Sequence, residues 1–431
     1  MFFLKLCGEV MGGIILERLA LFGGEPVRTE PLPTVNNKSG RNIGDEELKL
    51  LKEVVESGSL FRHSGKMVSK FEEEFAEFLG VKHAVTSTSG TAALHIATGA
   101  IGLGPGMEVI TSPITDMGTI IPILGQNAIP VFADLNPDTY TLDPEDVRKR
   151  ITDKTKAIIA VHLFGLMCDM DALREIAEEK GIYLIEDSAQ AYLAEYKGRL
   201  SGTIGDLGCF SLQQSKHMFT GDGGITVTND EELARRAKLF MDKGWDRKAT
   251  GPRTYVMIGF NYRMTELQGA VALAQLKKVR WVVERRRNVA ESLTKKIEDI
   301  EGIKPPEVPK GYKHSYWLYP IKIDSSKFKA STEDFVEALR AEGIPASAGY
   351  IGLPLYMASV FTEKRGYGGT GCPWICPHYG REIIYKRGLC PQTEEILSQL
   401  ITLPCNEYFT EKDVEDITLA IRKIAEYYKR T

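Results

Sequence analysis

The apolar positions of this chain fall into two helical stretches followed by a long alternation. From Asp45 onward, Leu48, Leu51, Val54 and Val55 recur at helical spacing, and Val68, Phe71, Phe75, Phe78 and Leu79 repeat the signal one element later. Both stretches predict helices lying against a core. Short β-rich runs then alternate with helical ones: HAVTST before GTAALHIATGA, EVIT, IPVFAD before PEDVRKRI, KAIIAVHLFG before DMDALREIAEEKG, IYLIED, GCFSL, and GGITVTND before EELARRAKLFMDKG. Such alternation predicts an α/β domain built on a mostly parallel sheet. The stretch from Thr265 to Ile300 reads as one long helix or two abutting ones, broken by EGIKPPEVPKG. Beyond it the pattern predicts a strand in HSYWLYPIKID, a helix in TEDFVEALRAEG, a loop-like region from Ile344 to Pro391, and a closing helix in EKDVEDITLAIRKIAEYYKR. The resulting division is an N-terminal extension (1–30), a large domain (31–285) and a smaller C-terminal α+β domain (286–431).

Composition narrows the partners. A chain of 431 residues is too long for one small core and suits a large domain plus a smaller one. Lys and Arg number 54 against 58 Asp and Glu, so a net charge of −4 exerts no overall pull toward nucleic acid or anionic membrane. Small molecules or another protein chain are the expected partners. The basic run KKVRWVVERRR is mixed with Val and Trp around a helix and reads as a solvated face. Seven cysteines, an odd number scattered along the chain, argue for a reducing compartment, and the cytoplasm is expected. The opening MFFLKLCGEVMGGIIL is apolar, but Glu9 interrupts it and its basic region is one lysine, so it reads as an extension, with Met11 an alternative start to Met1. No run approaches the roughly 20 apolar residues of a membrane span.

Three local features belong at the carboxyl edge of a parallel sheet, where ligands bind. In HAVTSTSGTAALHIA a strand passes through Ser87-Thr88-Ser89-Gly90-Thr91 into a helix, offering unpaired N–H groups and a positive dipole end to an anion such as phosphate; Ser-Gly-Thr is equally a good helix cap. The apolar strand IYLIED ends in Glu186-Asp187, a carboxylate pair able to face a cationic nitrogen or to cap the next turn. Lys216 follows the apolar run LGCFSL and precedes Gly221-Asp222-Gly223-Gly224, whose glycines let the backbone pass close to something flat; otherwise it is a lysine snorkelling from a loop. A phosphate cradle, an acid for a pyridine nitrogen and an imine-forming lysine together are what pyridoxal phosphate requires. No G-x-G-x-x-G follows an early strand, so a nicotinamide site is a poor reading.

These stretches resemble the DegT/DnrJ/StrS sugar aminotransferases, pyridoxal phosphate enzymes of fold type I. The resemblance runs from LALFGGEPVRTEPLP to LPCNEYFTEKDVEDITLAIRKI and is carried by SGTAALHIA, IPVFADLNPDTYTLDPEDV, AVHLFGLMCDMDAL, IEDSAQAYLAEYKGRLSGTIGDLGCFSLQQSKHMFTGDGG and GFNYRMTELQGAVALAQL. It implies a seven-stranded, mostly parallel sheet flanked by helices, plus a smaller α+β domain. It implies further that Lys216 is the Schiff-base lysine, that Asp187 pairs with the pyridine nitrogen, and that Gln190 sits against the ring near its phenolic oxygen. Gly90, Thr91 and the Ser211 hydroxyl would hold the phosphate. Asn261 matches the position that reaches the phosphate from the other subunit, which implies a homodimer with shared active sites. The implied reaction is ping-pong: L-glutamate or L-glutamine gives its amino group to the cofactor, whose pyridoxamine form aminates a keto-sugar, expected to be nucleotide-linked, or a keto-cyclitol. Gln213-Gln214 resembles the branch that aminates keto-cyclitols with glutamine. The alternatives are a pyridoxamine phosphate-dependent sugar dehydratase, whose members replace the lysine by histidine, and a cofactor-binding regulatory protein without turnover.

The chain departs from the family pattern in two places. Where an aromatic residue usually stacks on the cofactor, TSPITDMGTIIP places Met117, preceded by Asp116, a candidate for substrate contact. The segment from Ile351 to Pro391 is longer than usual and carries Leu355-Tyr356 where a histidine is usual. It holds Cys372, Cys376, His378 and Cys390, zinc-ligand types at a spacing, C-x3-C-x-H-x11-C, that is not a standard one, so no metal is expected. In HSYWLY, alternation puts His314 and Tyr316 on one strand face and Tyr319 on the other; they are candidates either to line the substrate mouth or to pack into a core.

Overall fold

The computed structural model describes residues 18–430 and, before them, only a backbone hairpin pairing Val10–Met11 with Ile14–Ile15. The expectations placed on residues 1–17, including the alternative start, otherwise lie outside the described residues. Seven runs form the central sheet: β1 (His83–Ser87), β2 (Glu108–Thr111), β3 (Ile129–Phe132), β4 (Thr155–Val161), β5 (Tyr183–Asp187), β6 (Leu207–Ser211) and β7 (Gly224–Thr228). Their order is β1-β7-β6-β5-β4-β2-β3. Only β7 runs against its neighbours β1 and β6; every other pairing is parallel. These strands are apolar almost end to end because helices cover both faces, and water reaches neither.

The two predicted N-terminal helices are α1 (Asp45–Ser57) and α2 (Met67–Leu79), followed by α3 (Gly90–Ala100), α4 (Met117–Gly125), α5 (Pro144–Arg150), α6 (Met170–Lys180) and α7 (Glu231–Met241). Helix α3 is buried from Ala92 to Ala100 and packs with Val85, Cys209 and Phe240. The stretch from Thr265 onward is two abutting helices, α8 (Glu266–Leu276) and α9 (Val279–Ile297). Helix α9 joins two cores: Val279 and Val283 pack with Phe71 and Phe75, whereas Val289, Leu293 and Ile297 pack with Tyr319 and Phe335.

The second core surrounds a four-stranded antiparallel sheet of β8 (Ile303–Lys304), β9 (Leu318–Ile323), β10 (Ser347–Ala348) and β11 (Leu400–Pro404), in the order β8-β9-β11-β10. Helices α10 (Thr332–Ala341), α11 (Pro391–Gln399) and α12 (Glu411–Tyr428) pack around it. Part of the N-terminal segment belongs to this core. Leu19 is buried in it, the Ala20 and Val27 N–H groups donate to the buried Glu342 carboxylate at 2.8 and 3.0 Å, and Arg28 pairs with Asp413 and Asp416.

The region from Ile351 to Pro391 is mostly irregular yet has its own core. Phe361, Trp374, Tyr379 and Tyr385 close over Phe132 of β3, the last strand of the sheet, and so cover an edge that would otherwise expose backbone groups. Among the described residues no helix is long and apolar enough to cross a membrane.

Candidate active site

Six parallel strands direct their carboxyl ends to one edge of the sheet, and a cavity of about 370 Å³ opens there. Gly90, Thr91, Asp187, Gln190, Ser211 and Lys216 all line it, from three separate stretches of the chain. Helix α3 starts at this edge: Ser89 caps it by accepting from the Ala92 N–H at 3.0 Å, which leaves the N–H groups of Gly90 and Thr91 without an intrahelical acceptor. The glycine is required, since a Cβ at position 90 would meet Ser211 Cβ at 2.7 Å. At Gly224 a Cβ would strike the Ser89 carbonyl at 2.1 Å, so this glycine lets β7 pass close to the turn that opens helix α3.

Asp187 ends β5 with its side chain buried, accepting from Thr119 Oγ1 at 2.7 Å and the Ala189 N–H at 3.1 Å. Burial pushes its carboxyl above the ordinary range, and those two donors and the nearby Lys216 only partly oppose the shift. Lys216 Nζ sits 4.0 Å from the centroid of the Trp317 ring and makes no hydrogen bond to another described residue. Removal from bulk water lowers its pKa to about 8, against the opposing charges of Asp187 and Asp116. A carboxyl short of a cation and a lysine eased toward its neutral form are arrangements that lower stability unless something else uses them.

Gln190 is held at both ends, its Oε1 accepting from the Phe164 N–H at 2.7 Å and its Nε2 donating to the Tyr350 hydroxyl at 3.2 Å. His217, next to Lys216, points away from the cavity; its Nε2 lies 2.9 Å from the Ser315 carbonyl, and burial holds its pKa far below the ordinary value. Asp116 lines the cavity at its exposed rim. Met117 does not line it and packs instead toward the core of the insertion.

Three expected substrate contacts lie elsewhere. The strand expected in HSYWLY starts only at Leu318, because Tyr316 has a left-handed backbone (φ 52°) that breaks the alternation. The buried His314 and Tyr316 rings stack on one another at 3.9 Å, and Tyr319 is buried in the second core with its hydroxyl 2.7 Å from Thr294 Oγ1. The bend brings Trp317 to the cavity instead, its indole N–H donating to the Ser215 carbonyl at 3.1 Å. Tyr350 and Thr119 also line the cavity and were not singled out by the sequence. The exposed Asn261 is absent from the cavity of its own chain and pairs with Asp242 in a β-bridge. Among the described residues no group of three or more His, Cys, Asp or Glu side chains is placed to hold a metal. Cys390 is buried against the Phe132 carbonyl, while Cys372 and Cys376 are partly exposed.

The sequence pattern of the DegT/DnrJ/EryC1/StrS aminotransferase family matches residues 41–375. The chain belongs to this family. It is accordingly an aminotransferase of fold type I, and the family depends on pyridoxal phosphate. Its relatives include a protein of Micromonospora echinospora named as a putative L-glutamine:3-amino-2,3-dideoxy-scyllo-inosose aminotransferase, 36% identical over 414 residues that span 95% of this chain and 97% of that one. A spore coat polysaccharide biosynthesis protein of Bacillus subtilis is 34% identical over 391 residues, 89% of this chain and 95% of its own length. Among solved structures, an aminotransferase from Psychrobacter cryohalolentis superposes with a TM-score of 0.82 at 28% identity, covering 90% of this chain and 98% of that one. This aminotransferase thus shares its architecture with the family along nearly its whole length.

Proposed function

We propose that this cavity binds pyridoxal phosphate and transfers an amino group from L-glutamine or L-glutamate to a keto-cyclitol or keto-sugar. The observation that carries the reading is the pairing of two otherwise unfavourable groups, the buried Asp187 carboxyl and a Lys216 Nζ that makes no hydrogen bond to another described residue, across a cavity whose third wall is a helix N-terminus. The donor set fits the cofactor. Gly90 and Thr91 N–H groups and the Ser211 hydroxyl would hold the phosphate. Asp187 would hold the ring nitrogen, a cation that would satisfy its buried carboxylate, and Gln190, fixed by Phe164 and Tyr350, would contact the ring. When bound, the cofactor supplies an aldehyde that exchanges amino groups and a ring that withdraws electrons.

The chain's own tasks follow. Lys216 Nζ would take the proton from the nitrogen-bearing carbon of the amino donor and, in the second half-reaction, would deliver one to the corresponding carbon of the acceptor. Thr119 and the Ala189 N–H fix the Asp187 carboxylate in place. The Trp317 and Tyr350 rings, 5.9 Å apart and edge to face, wall off the cavity on the side of the second core. The cyclitol relative, aligned along 95% of this chain, favours a cyclitol acceptor.

The same reading makes the enzyme a homodimer. Tyr255, Val256, Ile258 and Phe260 are exposed, Ile258 at 84%, on the segment that leads to Asn261, and an apolar patch of this kind suits a second copy of the chain. Asn261 would then serve its partner's phosphate.

The test is optical. Protein loaded with pyridoxal phosphate should show a visible absorption band that L-glutamine or L-glutamate bleaches and a keto-cyclitol restores; a band that no amino donor changes would overturn the proposal. Mixing Lys216→Ala and Asn261→Ala proteins, each inactive alone, should restore about a quarter of wild-type activity through hybrid dimers with one intact site. No recovery in subunit-exchanged mixtures would overturn the shared site.

A further inference from the structure

Resting on the aminotransferase reading above, the charge around the cavity narrows the acceptor. Four charged residues line it, namely Asp116, Asp187, Lys216 and Asp222. Asp187 and Lys216 are committed to the cofactor, which leaves two carboxylates at the rim. Both residues are exposed, and neither carboxylate forms an ion pair with another described residue. No arginine, and no lysine other than Lys216, lines the cavity among the described residues.

Asp116 is the better placed of the two. One of its oxygens, Oδ1, accepts from the Gly118 N–H at 2.7 Å and caps helix α4, while the second oxygen has no partner among the described residues. A Cβ added at Gly118 would meet Thr91 Oγ1 at 2.6 Å and Asp116 Oδ1 at 2.8 Å, so this carboxylate is packed beside the start of helix α3 and faces the same space as the phosphate turn. Trp317 and Tyr350, also lining the cavity, are both tethered, Trp317 by Ser215 and Tyr350 by Gln190. Aromatic faces receive the C–H face of a saturated ring and favour a nearby cation.

We propose that the acceptor is a saturated ring ketone that carries an ammonium group of its own, seated on the Asp116 carboxylate. An acceptor linked to a nucleoside diphosphate would instead bring negative charge to a rim that already holds two carboxylates, with no further lining cation among the described residues to offset it. The cap alone does not explain an aspartate here, because asparagine or serine would serve α4 as well.

That equivalence supplies the test. Asp116→Asn keeps the cap and the shape and removes the charge. Wild-type and variant holoenzymes are assayed with L-glutamine against two ketones that differ by the amine, 3-amino-2,3-dideoxy-scyllo-inosose and 2-deoxy-scyllo-inosose. The substitution should raise KM for the aminated ketone about ten- to a hundred-fold, the range of a charge-assisted hydrogen bond. Loss of a charge that also acts on Lys216 changes the rate of bleaching by L-glutamine equally for both ketones, so the readout is the ratio of the two KM values, which should shift by that factor while KM for the neutral ketone changes little; a 1,3-diaminocyclitol should lose potency as a competitive inhibitor by a similar factor. Equal effects on the two ketones, or a wild-type enzyme that L-glutamine or L-glutamate bleaches but only neutral or nucleotide-linked ketones restore, would overturn the inference and leave the aminotransferase reading intact. A wild-type enzyme that neither donor bleaches would overturn that reading, and the inference with it.

Discussion

Glu186 and Asp187 are consecutive carboxylates on one buried strand, and they face opposite environments. Glu186 turns away from the cavity and is saturated: His162 Nε2 at 2.8 Å and the N–H groups of Gly202, Ile204 and Gly205 at 2.8, 2.6 and 2.6 Å all donate to it. The Cys168 N–H points at His162 Nδ1, so that nitrogen holds a lone pair and the ring's proton lies on Nε2, toward Glu186. Burial opposes ionisation of Glu186, yet these donors hold its carboxyl below the ordinary range. Asp187 faces the cavity with two donors, and its carboxyl is pushed up. The saturated acid stitches β4, β5 and the 202–205 turn together, whereas the undersupplied one awaits a cation. Equal burial therefore marks structure in one case and chemistry in the other, and the supply of donors separates them.

The comparison breaks or sharpens at several points. Lys216→Ala, on the cavity side, should abolish the visible band and lower turnover on the order of a thousandfold or more, as loss of a positioned base and covalent tether requires. Absorbance and single-turnover rates check it. Asp187→Asn should lower turnover about a hundredfold or more while the unfolding midpoint moves little, because the electrostatic support it removes acts on the reaction. Glu186→Gln should do the reverse: about 3 kcal/mol of stability lost in urea unfolding as the buried donors lose their anion, with turnover per folded molecule close to wild type. An Asp187→Asn protein that is unstable but active would erase the distinction.

A smaller effect comes from pH. In cofactor-free protein the Lys216 pKa is near 8, below its ordinary 10.5, so between those values the unfolded chain binds more protons and stability rises with pH. Lys216→Met should accordingly be more stable than wild type below about pH 8, with the advantage fading toward pH 10.5, as thermal midpoints across that window would show. Smallest of all, chelators should leave turnover unchanged, since Cys372, Cys376, His378 and Cys390 form no metal-holding group among the described residues.

Much of this was legible in the sequence because period and punctuation agree with the fold. The seven strands and the helices between them follow the apolar pattern, and Ser89-Gly90, Asp187 and Lys216 fall where strands end. The second core was harder to read. Its contribution to the cavity depends on two left-handed residues, Tyr316 and Tyr350, that no alternation rule anticipates, so Trp317 was passed over for its neighbours. Thr119 escaped because a threonine inside an apolar helix carries no signal until the helix is laid against Asp187. The N-terminal segment looked like an extension because its anchors, Glu342 and Asp416, lie more than three hundred residues away.

The most direct measurement is borohydride reduction of the pyridoxal phosphate-loaded protein followed by peptide mapping. The account predicts a single pyridoxyl label on Lys216, absent from Lys216→Ala and present in Glu186→Gln; a label on any other lysine, or none on loaded protein, would contradict it.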